Sequence, residues 1–385
     1  MPRVTGHPRP ADAAPAVATR GPVLVVGTGL IGASVGLGLT TRGVEVTLRD
    51  ASPTALALAR DVGAGRPAGP GDAEPALVVV ATPPDVVART VAEALRAYPT
   101  AVVTDVASVK SAVLDALAAM EPDERPGWQR YVGSHPMAGR ERSGAAAATA
   151  DLFATRPWVI ADGGTSGPAA VLAVRALATD LGAVPVELSP SEHDEAVALV
   201  SHLPQVAASL VAAQLAEAPE TALALAGQGL RDVTRIAASD PLLWATILAG
   251  NAGRVAHALR GVQDGLARLL PALEAAAAQG PEAPGVLHTL AGAIAAGNAG
   301  VARVPGKHGG APRRYGEVTV LVPDRPGELG RLFGEVGEIG VNIEDLTIEH
   351  SPRQRVGLAT LAVVPAVVST LEEALEQRGW RVVYR

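Results

Sequence analysis

The chain has 385 residues, a formal net charge of −7 and no cysteine. That length predicts two or three domains with ample core. No run of Lys and Arg forms a basic face, which argues against nucleic acid as a partner. Missing thiols exclude disulfides, thiolate catalysis and cysteine-based zinc sites, and suit a reducing, cytoplasmic compartment. No His/carboxylate spacing of the HExxH kind occurs, so no metal is expected, and no apolar stretch reads as a membrane span. Hydrophobic residues make up 48% but aromatics only 3%, so the core is built from small aliphatic side chains, as in packed helices and parallel strands.

Residues 1–20 are rich in Pro, Ala and Arg and read as a disordered tail. Val23–Val26 predicts a strand, followed by the turn Gly27-Thr28-Gly29-Leu30-Ile31-Gly32, a helix over Leu30–Thr40 and a strand over Val44–Leu48. The β-branched runs Leu77–Ala81 and Ala101–Val106 alternate with helical patterns at Pro53–Val62 and Asp85–Tyr98. This alternation predicts an α/β fold with a doubly wound parallel sheet, a Rossmann-type domain over residues 21–187.

The GxGxxG turn sits directly after a strand and opens a helix. Gly27 allows the tight turn, Gly29 lets backbone approach a pyrophosphate, and Gly32 lets helix and strand pack closely. The helix start at Leu30 and Ile31 then turns unpaired N–H groups toward the phosphates. Asp50, ending the second strand, can accept ribose hydroxyls and repel a 2′-phosphate, which favours NAD over NADP. A GxGxxG alone can be a plain tight turn, and FAD proteins share it; strand context and Asp50 tip the reading to NAD. Thr82 and Pro83 lie in the loop after the next strand, and Asp105 ends the one after that, on the edge where nucleotides bind.

Two segments leaving the sheet could reach a nicotinamide. One is Thr104-Asp105-Val106-Ala107-Ser108-Val109-Lys110; the other, Gly133-Ser134-His135-Pro136-Met137-Ala138-Gly139, holds a histidine. Oxidation at a hydroxyl-bearing carbon needs a proton acceptor, which neutral His135 can be, with Ser108 orienting the same hydroxyl. A lone loop histidine is ordinarily structural; the surrounding pattern gives this one a role.

The character changes at Ser189-Pro190-Ser191-Glu192, a capping-box pattern that opens a helical domain over residues 188–300. Pro204 should kink its first helix, and Ser239-Asp240-Pro241 marks another helix start. Arg231 and Arg235, four apart on one helical face, could anchor a carboxylate or pair with Asp232 or Asp240. His202 on an apolar helix reads more simply as a core residue. Residues 301–314 form a linker rich in Pro, Gly and basic residues, and residues 315–385 have a βαββαβ order, a small ferredoxin-like domain.

Taken together, GTGLIG, ATPP, DVASVK, SHPMAGRERSG, SHLPQ and RDVTRIAASDPLLW make the chain resemble the prephenate dehydrogenase (TyrA) family of tyrosine biosynthesis, over residues 22–300. From Tyr315, VLVPDRPGELGRL and GVNIEDL resemble an ACT domain. The resemblance implies NAD-dependent oxidative decarboxylation of prephenate to 4-hydroxyphenylpyruvate, with arogenate dehydrogenase as the close alternative, in a homodimer. By family pattern His135 accepts the hydroxyl proton, Ser108 bonds the same oxygen and Arg235 holds the ring carboxylate. Glu141, Arg231, His202 and Gln205 then fall at substrate-binding positions. Gln205 departs from the family, whose members commonly have a second histidine there; it can hydrogen-bond but carries no charge. Asp324, Gly327 and Asn342 mark the tyrosine effector site expected in the ACT-like domain. The β-hydroxyacid dehydrogenases, a rival with the same two-domain plan, use a lysine in the helical domain, and residues 189–300 contain none. A non-catalytic sensor of NAD and amino acids is the reading from outside enzymology.

Overall fold

A computed structural model describes residues 17–140, 142–305, 315–350 and 356–383. Its first part runs β1 (Val23–Val26), α1 (Leu30–Thr40), β2 (Val46–Arg49), α2 (Pro53–Asp61), β3 (Arg66–Pro67), β4 (Leu77–Val80), α3 (Val87–Ala97), β5 (Val102–Asp105), α4 (Ser111–Ala118), β6 (Tyr131–Pro136), β7 (Pro157–Ala161), α5 (Pro168–Asp180) and β8 (Val184–Glu187). These strands form one eight-stranded sheet in the order β3-β2-β1-β4-β5-β6-β7-β8. The order reverses between β1 and β4, and the crevice at such a switch point is where α/β sheets take ligands.

Both faces of the sheet are covered, as continuous apolar strands require. Val23, Val25, Leu48 and Val79 pack on one side, while Leu24, Val78, Val80 and Val103 pack against Val91, Leu95 and Leu117 on the other. The expectation of a parallel sheet holds through β6; β7 then runs antiparallel to β6, with β8 parallel to β7. The reversal returns the chain from the end of β6 over the ligand edge before it re-enters the sheet.

The tail expectation is corrected at its end. Asp180 accepts the N–H groups of Ala18 and Thr19 at 3.0 and 2.6 Å and the Thr19 hydroxyl at 2.6 Å, so these residues are anchored to α5. Residues 1–16 lie outside the described residues, as do 306–314 of the expected linker.

The helical stretch comprises α6 (Pro190–Val197), α7 (Leu203–Ala213), α8 (Glu220–Leu223), α9 (Gln228–Thr234), α10 (Pro241–Gly250), α11 (Ala252–Gln279) and α12 (Val286–Val301). The capping box is formed: Glu192 N–H donates to Ser189 Oγ at 3.2 Å, and Ser189 N–H donates to Glu192 Oε2 at 2.8 Å. Pro204 does not kink a continuous helix. A π-helical turn, Ala198–His202, precedes it, and Pro204 falls in the first turn of α7, where its missing N–H costs no bond. By length and composition Pro190–Ala213 is apolar enough to cross a membrane, contrary to expectation. Its apolar side chains share this stretch with His193, Asp194 and His202, which are all buried in the protein.

Two compact units result. One ends at Ala216 and takes up Thr234–Arg260; the other holds Glu217–Val233 and everything from Gly261. The division therefore falls within the helical stretch. In the second unit, β9 (Gly316–Pro323), α13 (Glu328–Ile339), β10 (Asp345–His350), β11 (Val356–Val363), α14 (Val368–Gln377) and β12 (Arg381–Val383) realise the βαββαβ order. Their antiparallel sheet, β10-β11-β9-β12, packs Val318, Val320 and Leu361 against Leu332, Leu371 and Leu375 of the two helices.

Candidate active site

The glycine turn has the shape a dinucleotide needs. Gly27 takes φ +95°, and a Cβ there would lie 2.4 Å from the Ala81 carbonyl oxygen. A Cβ on Gly32 would lie 1.9 Å from the Gly27 oxygen, so α1 meets β1 backbone to backbone. A Cβ on Gly29 would meet nothing within 4 Å, which leaves open space above the turn. Gly29 caps α1 without a side chain, so the N–H groups of Leu30 and Ile31 have no side-chain cap. Asp50 Oδ2 accepts the N–H and hydroxyl of Thr28 at 2.6 and 2.8 Å, and its Oδ1 accepts Ser52 N–H at 2.8 Å. The carboxylate thus fastens the turn and stays half-buried at its rim. In the next loop Pro83 is exposed, and Thr82 Oγ1 is buried without a hydrogen-bond partner among the described residues. An open floor, uncapped helix N–H groups and an orphaned hydroxyl fit a dinucleotide.

Asp105 does not face this crevice, contrary to expectation. It is fully buried; Tyr131 Oη donates to it at 2.7 Å and Ala107 N–H at 2.8 Å, and Lys110 Nζ makes a short ion pair with it. Lys110 also donates to the Ser134 carbonyl at 2.8 Å. Burial pulls the ammonium below its ordinary range while Asp105 opposes that shift. Burial, with Asp105 adding to it, pushes the Tyr131 phenol well up, so it stays a donor. This network lies beneath the site and braces the strand residue preceding His135.

His135 sits half-buried near the end of β6, at the edge where Ser108, also half-buried, follows β5. Its Nδ1 is 2.9 Å from His193 Nε2, and His193 Nδ1 is 2.8 Å from Asp194 Oδ1. A carboxylate only accepts, so His193 carries a proton on Nδ1, and as a neutral ring it accepts on Nε2. His135 must then donate from Nδ1, which leaves the lone pair of its Nε2 free. Burial holds His135 well below the usual histidine range, reinforced by His193, Lys110 and His202 and opposed by Asp194, so the ring is neutral at physiological pH.

Asp194 is held firmly. It accepts the N–H groups of Lys110 and Ser111, both at 2.8 Å, and thereby caps the N-terminus of α4. Burial alone would raise its pKa; the bonds from His193, Ser111 and Lys110 outweigh it and hold the carboxyl well below the usual range. The sequence reading missed His193, Asp194, Lys110 and Tyr131. His193 and Asp194 lie inside the capping-box segment, whose local role absorbed them; Lys110 stands in DVASVK, quoted but given no task.

Other expected site residues are distributed unevenly. Gln205 is buried on α7, its amide 3.5 Å from the hydroxyls of Ser209 and Ser239. His202 is buried beside Trp244 rather than lining an open surface. Arg235 is exposed in a 3-10 turn, Arg235–Ala237, whereas Arg231 is exposed on α9 in the other compact unit. The two arginines therefore do not share one continuous α-helical face, because the helix tightens at Thr234. Glu141 lies outside the described residues. Arg140, for which the sequence offered no account, lines a cleft of about 460 Å³ with Asp151 and Arg156 and donates to Thr149 Oγ1 at 3.1 Å.

Residues 35–187 match the family model "prephenate dehydrogenase, nucleotide-binding domain", and residues 189–280 match "prephenate dehydrogenase, dimerization domain". The chain belongs to the prephenate dehydrogenase family. It is 36% identical to a probable prephenate dehydrogenase of Streptomyces niveus over 359 residues, 93% of this chain and 98% of that one. A crystal structure of prephenate dehydrogenase from A. aeolicus, in complex with hydroxyphenyl propionate and NAD+, aligns with a TM-score of 0.60 and 26% identity, over 72% of this chain and 97% of the other. Synechocystis arogenate dehydrogenase aligns with a TM-score of 0.56 and 25% identity, over 72% of this chain and 99% of the other. As a family member the chain is an NAD-dependent oxidoreductase.

Proposed function

We propose that the chain converts prephenate to 4-hydroxyphenylpyruvate and CO₂, with His135 as the base. The observation that carries this reading is the Asp194–His193–His135 chain, which supports a neutral Nε2 on His135 at the ligand edge of the sheet. Bound NAD would supply the acceptor for the hydride of ring C4. His135 Nε2 takes the proton of the C4 hydroxyl, and Ser108 orients that oxygen. The bond from the ring to its carboxylate breaks, CO₂ leaves, its electron pair completes the aromatic ring, and the proton held by His135 returns to the C4 oxygen to give the phenol. By the family pattern, Arg235 holds that carboxylate until it departs. The glycine turn, with Leu30, Ile31, Asp50, Thr82 and Pro83, forms the NAD site. Glu141, Arg231, His202 and Gln205 are assigned to substrate binding from the family pattern.

Arogenate is the second reading, favoured by Gln205: a buried neutral amide can serve an amino-acid side chain as well as a keto acid. Purified enzyme offered prephenate or arogenate, with NAD or NADP, tests both through the absorbance of the reduced cofactor. Turnover of prephenate with NAD supports the first reading, arogenate alone the second, and no turnover with either would overturn both.

The enzyme is further proposed to act as a cytoplasmic homodimer. Val262, Leu266, Leu270 and Leu273 form an exposed apolar stripe along α11, the kind of surface a second subunit covers. The βαββαβ unit is read as an ACT domain that binds tyrosine as an effector. Asp324 and Gly327 line a cavity of about 260 Å³ between β9 and α13. Asn342 is not among its lining residues; its amide donates to Glu344 Oε1 at 2.8 Å. Calorimetric titration with tyrosine checks the assignment, and an absence of heat would remove it.

A further inference from the structure

His202 closes the π turn at 1% exposure, its ring edge-on to Trp244 with centroids 6.1 Å apart. Asn251, 3% exposed at the end of α10, reaches it. Asn251 Nδ2 lies 2.7 Å from the Asp194 carbonyl oxygen and 3.3 Å from His202 Nδ1. A carbonyl oxygen can only accept, so the amide nitrogen has to face Asp194; the reversed amide would oppose two oxygens. Asn251 Oδ1 is buried without a partner among the described residues, so no competing donor draws the amide the other way. The second N–H of the amide then points at His202 Nδ1, which must accept it. In a neutral ring the proton consequently sits on Nε2.

We propose that Asn251 is a positioning residue that holds His202 as its neutral Nε2–H tautomer, so that the buried ring carries its hydrogen-bond donor on Nε2 and no positive charge. Burial also keeps His202 below its ordinary range, with Asp194 opposing and His193 reinforcing the shift. The same amide grips the main chain of Asp194, whose side chain orients His193. One residue thus links the two histidine lines: the one ending in a free lone pair on His135 and the one ending in an N–H on His202. The inference concerns the protein without substrate and stands or falls apart from the proposed reaction.

The test is a long-range ¹H–¹⁵N correlation spectrum of the full-length protein labelled with ¹⁵N-histidine, with no substrate added. Of the eight histidines in the chain, His202 is assigned by its loss in His202→Gln. The expected wild-type spectrum shows His202 protonated on Nε2 alone at neutral pH. Asn251→Asp puts an acceptor against Nδ1 and is expected to move the proton there. Asn251→Leu, which offers neither donor nor acceptor, is expected to give a mixture of tautomers. A wild-type His202 protonated on Nδ1 or on both nitrogens would overturn the proposal, as would an unchanged Nε2–H signal in Asn251→Leu. The wild-type spectrum decides the tautomer even if a variant at position 251 fails to fold, and Asn251→Ser then replaces it.

Discussion

His193 Nε2 lies 2.9 Å from His135 Nδ1, across 58 residues of chain, and this contact selects the nitrogen with which His135 can act. With His193 fixed by Asp194, the reactive lone pair of His135 is on Nε2 and points away from its support.

Removing the support while keeping the shape should therefore impair turnover more than binding. His193→Phe fills the same buried space and abolishes both hydrogen bonds. Its kcat is expected to fall ~10²-fold, the cost of a misplaced catalytic group, with KM for the organic substrate nearly unchanged. His135→Ala removes the base itself and should lower kcat by about 10²–10⁴-fold. Steady-state kinetics of the two variants checks both, and a His193→Phe enzyme with wild-type kcat would remove His193 from the mechanism.

The pH dependence follows from His135 being held well below 6.5, mainly by burial. Only the neutral ring accepts a proton, so kcat/KM should fall on the acid side with a midpoint below pH 6.5. Asp194 favours the charged ring, so Asp194→Asn should move that midpoint further down. An upward move would contradict the assignment. For stability the sign is the same: a depressed histidine contributes stability that is present above its unfolded value and lost as pH falls through its folded one.

Lys110 and Asp105 are both buried, at 1% and 0% exposure. Lys110→Met leaves a buried carboxylate without its cation and should cost about 3–5 kcal/mol in denaturant unfolding. The double variant Lys110→Met/Asp105→Asn should recover much of that loss, since it leaves no uncompensated charge. A single variant as stable as wild type would mean that the pair is not formed.

The two glycines of the turn should fail differently. Gly32→Ala forces a methyl into the Gly27 carbonyl oxygen and should lower the melting temperature sharply. Gly29→Ala meets no protein atom and has an ordinary φ of −68°, so the fold should persist. Its methyl fills the space reserved for phosphate, and KM for NAD should rise at least tenfold, about 1.4 kcal/mol. Thermal melts and NAD titrations separate the two effects.

The nucleotide half was legible in the sequence because its determinants are local. A strand, a glycine turn and a helix follow one another between Val23 and Thr40, and each constrains the next. The reversal of β7 was not legible, since Pro157–Ala161 reads as a buried strand in either direction and only its partners decide. Asp105 was misplaced for a related reason: the strand end predicts the sheet edge, but Lys110 and Tyr131 draw its side chain inward. His193 and Asp194 were hidden by a local pattern that was itself correct. The capping box accounts for Ser189 and Glu192, while their neighbours act on residues far away in the chain.

The carboxylate of Asp194, seated on the first turn of α4, also bears on how such enzymes can be recombined. A chimera joined just before Ser189, with its sheet from one relative and its helices from another, would keep every strand and helix intact. It would nonetheless have to match a helix start on one side of the seam to an acid, a histidine and an asparagine on the other. The parts of this chain that can be exchanged are therefore not its two matched domains, and a productive junction would have to carry α4, α6 and the end of α10 together.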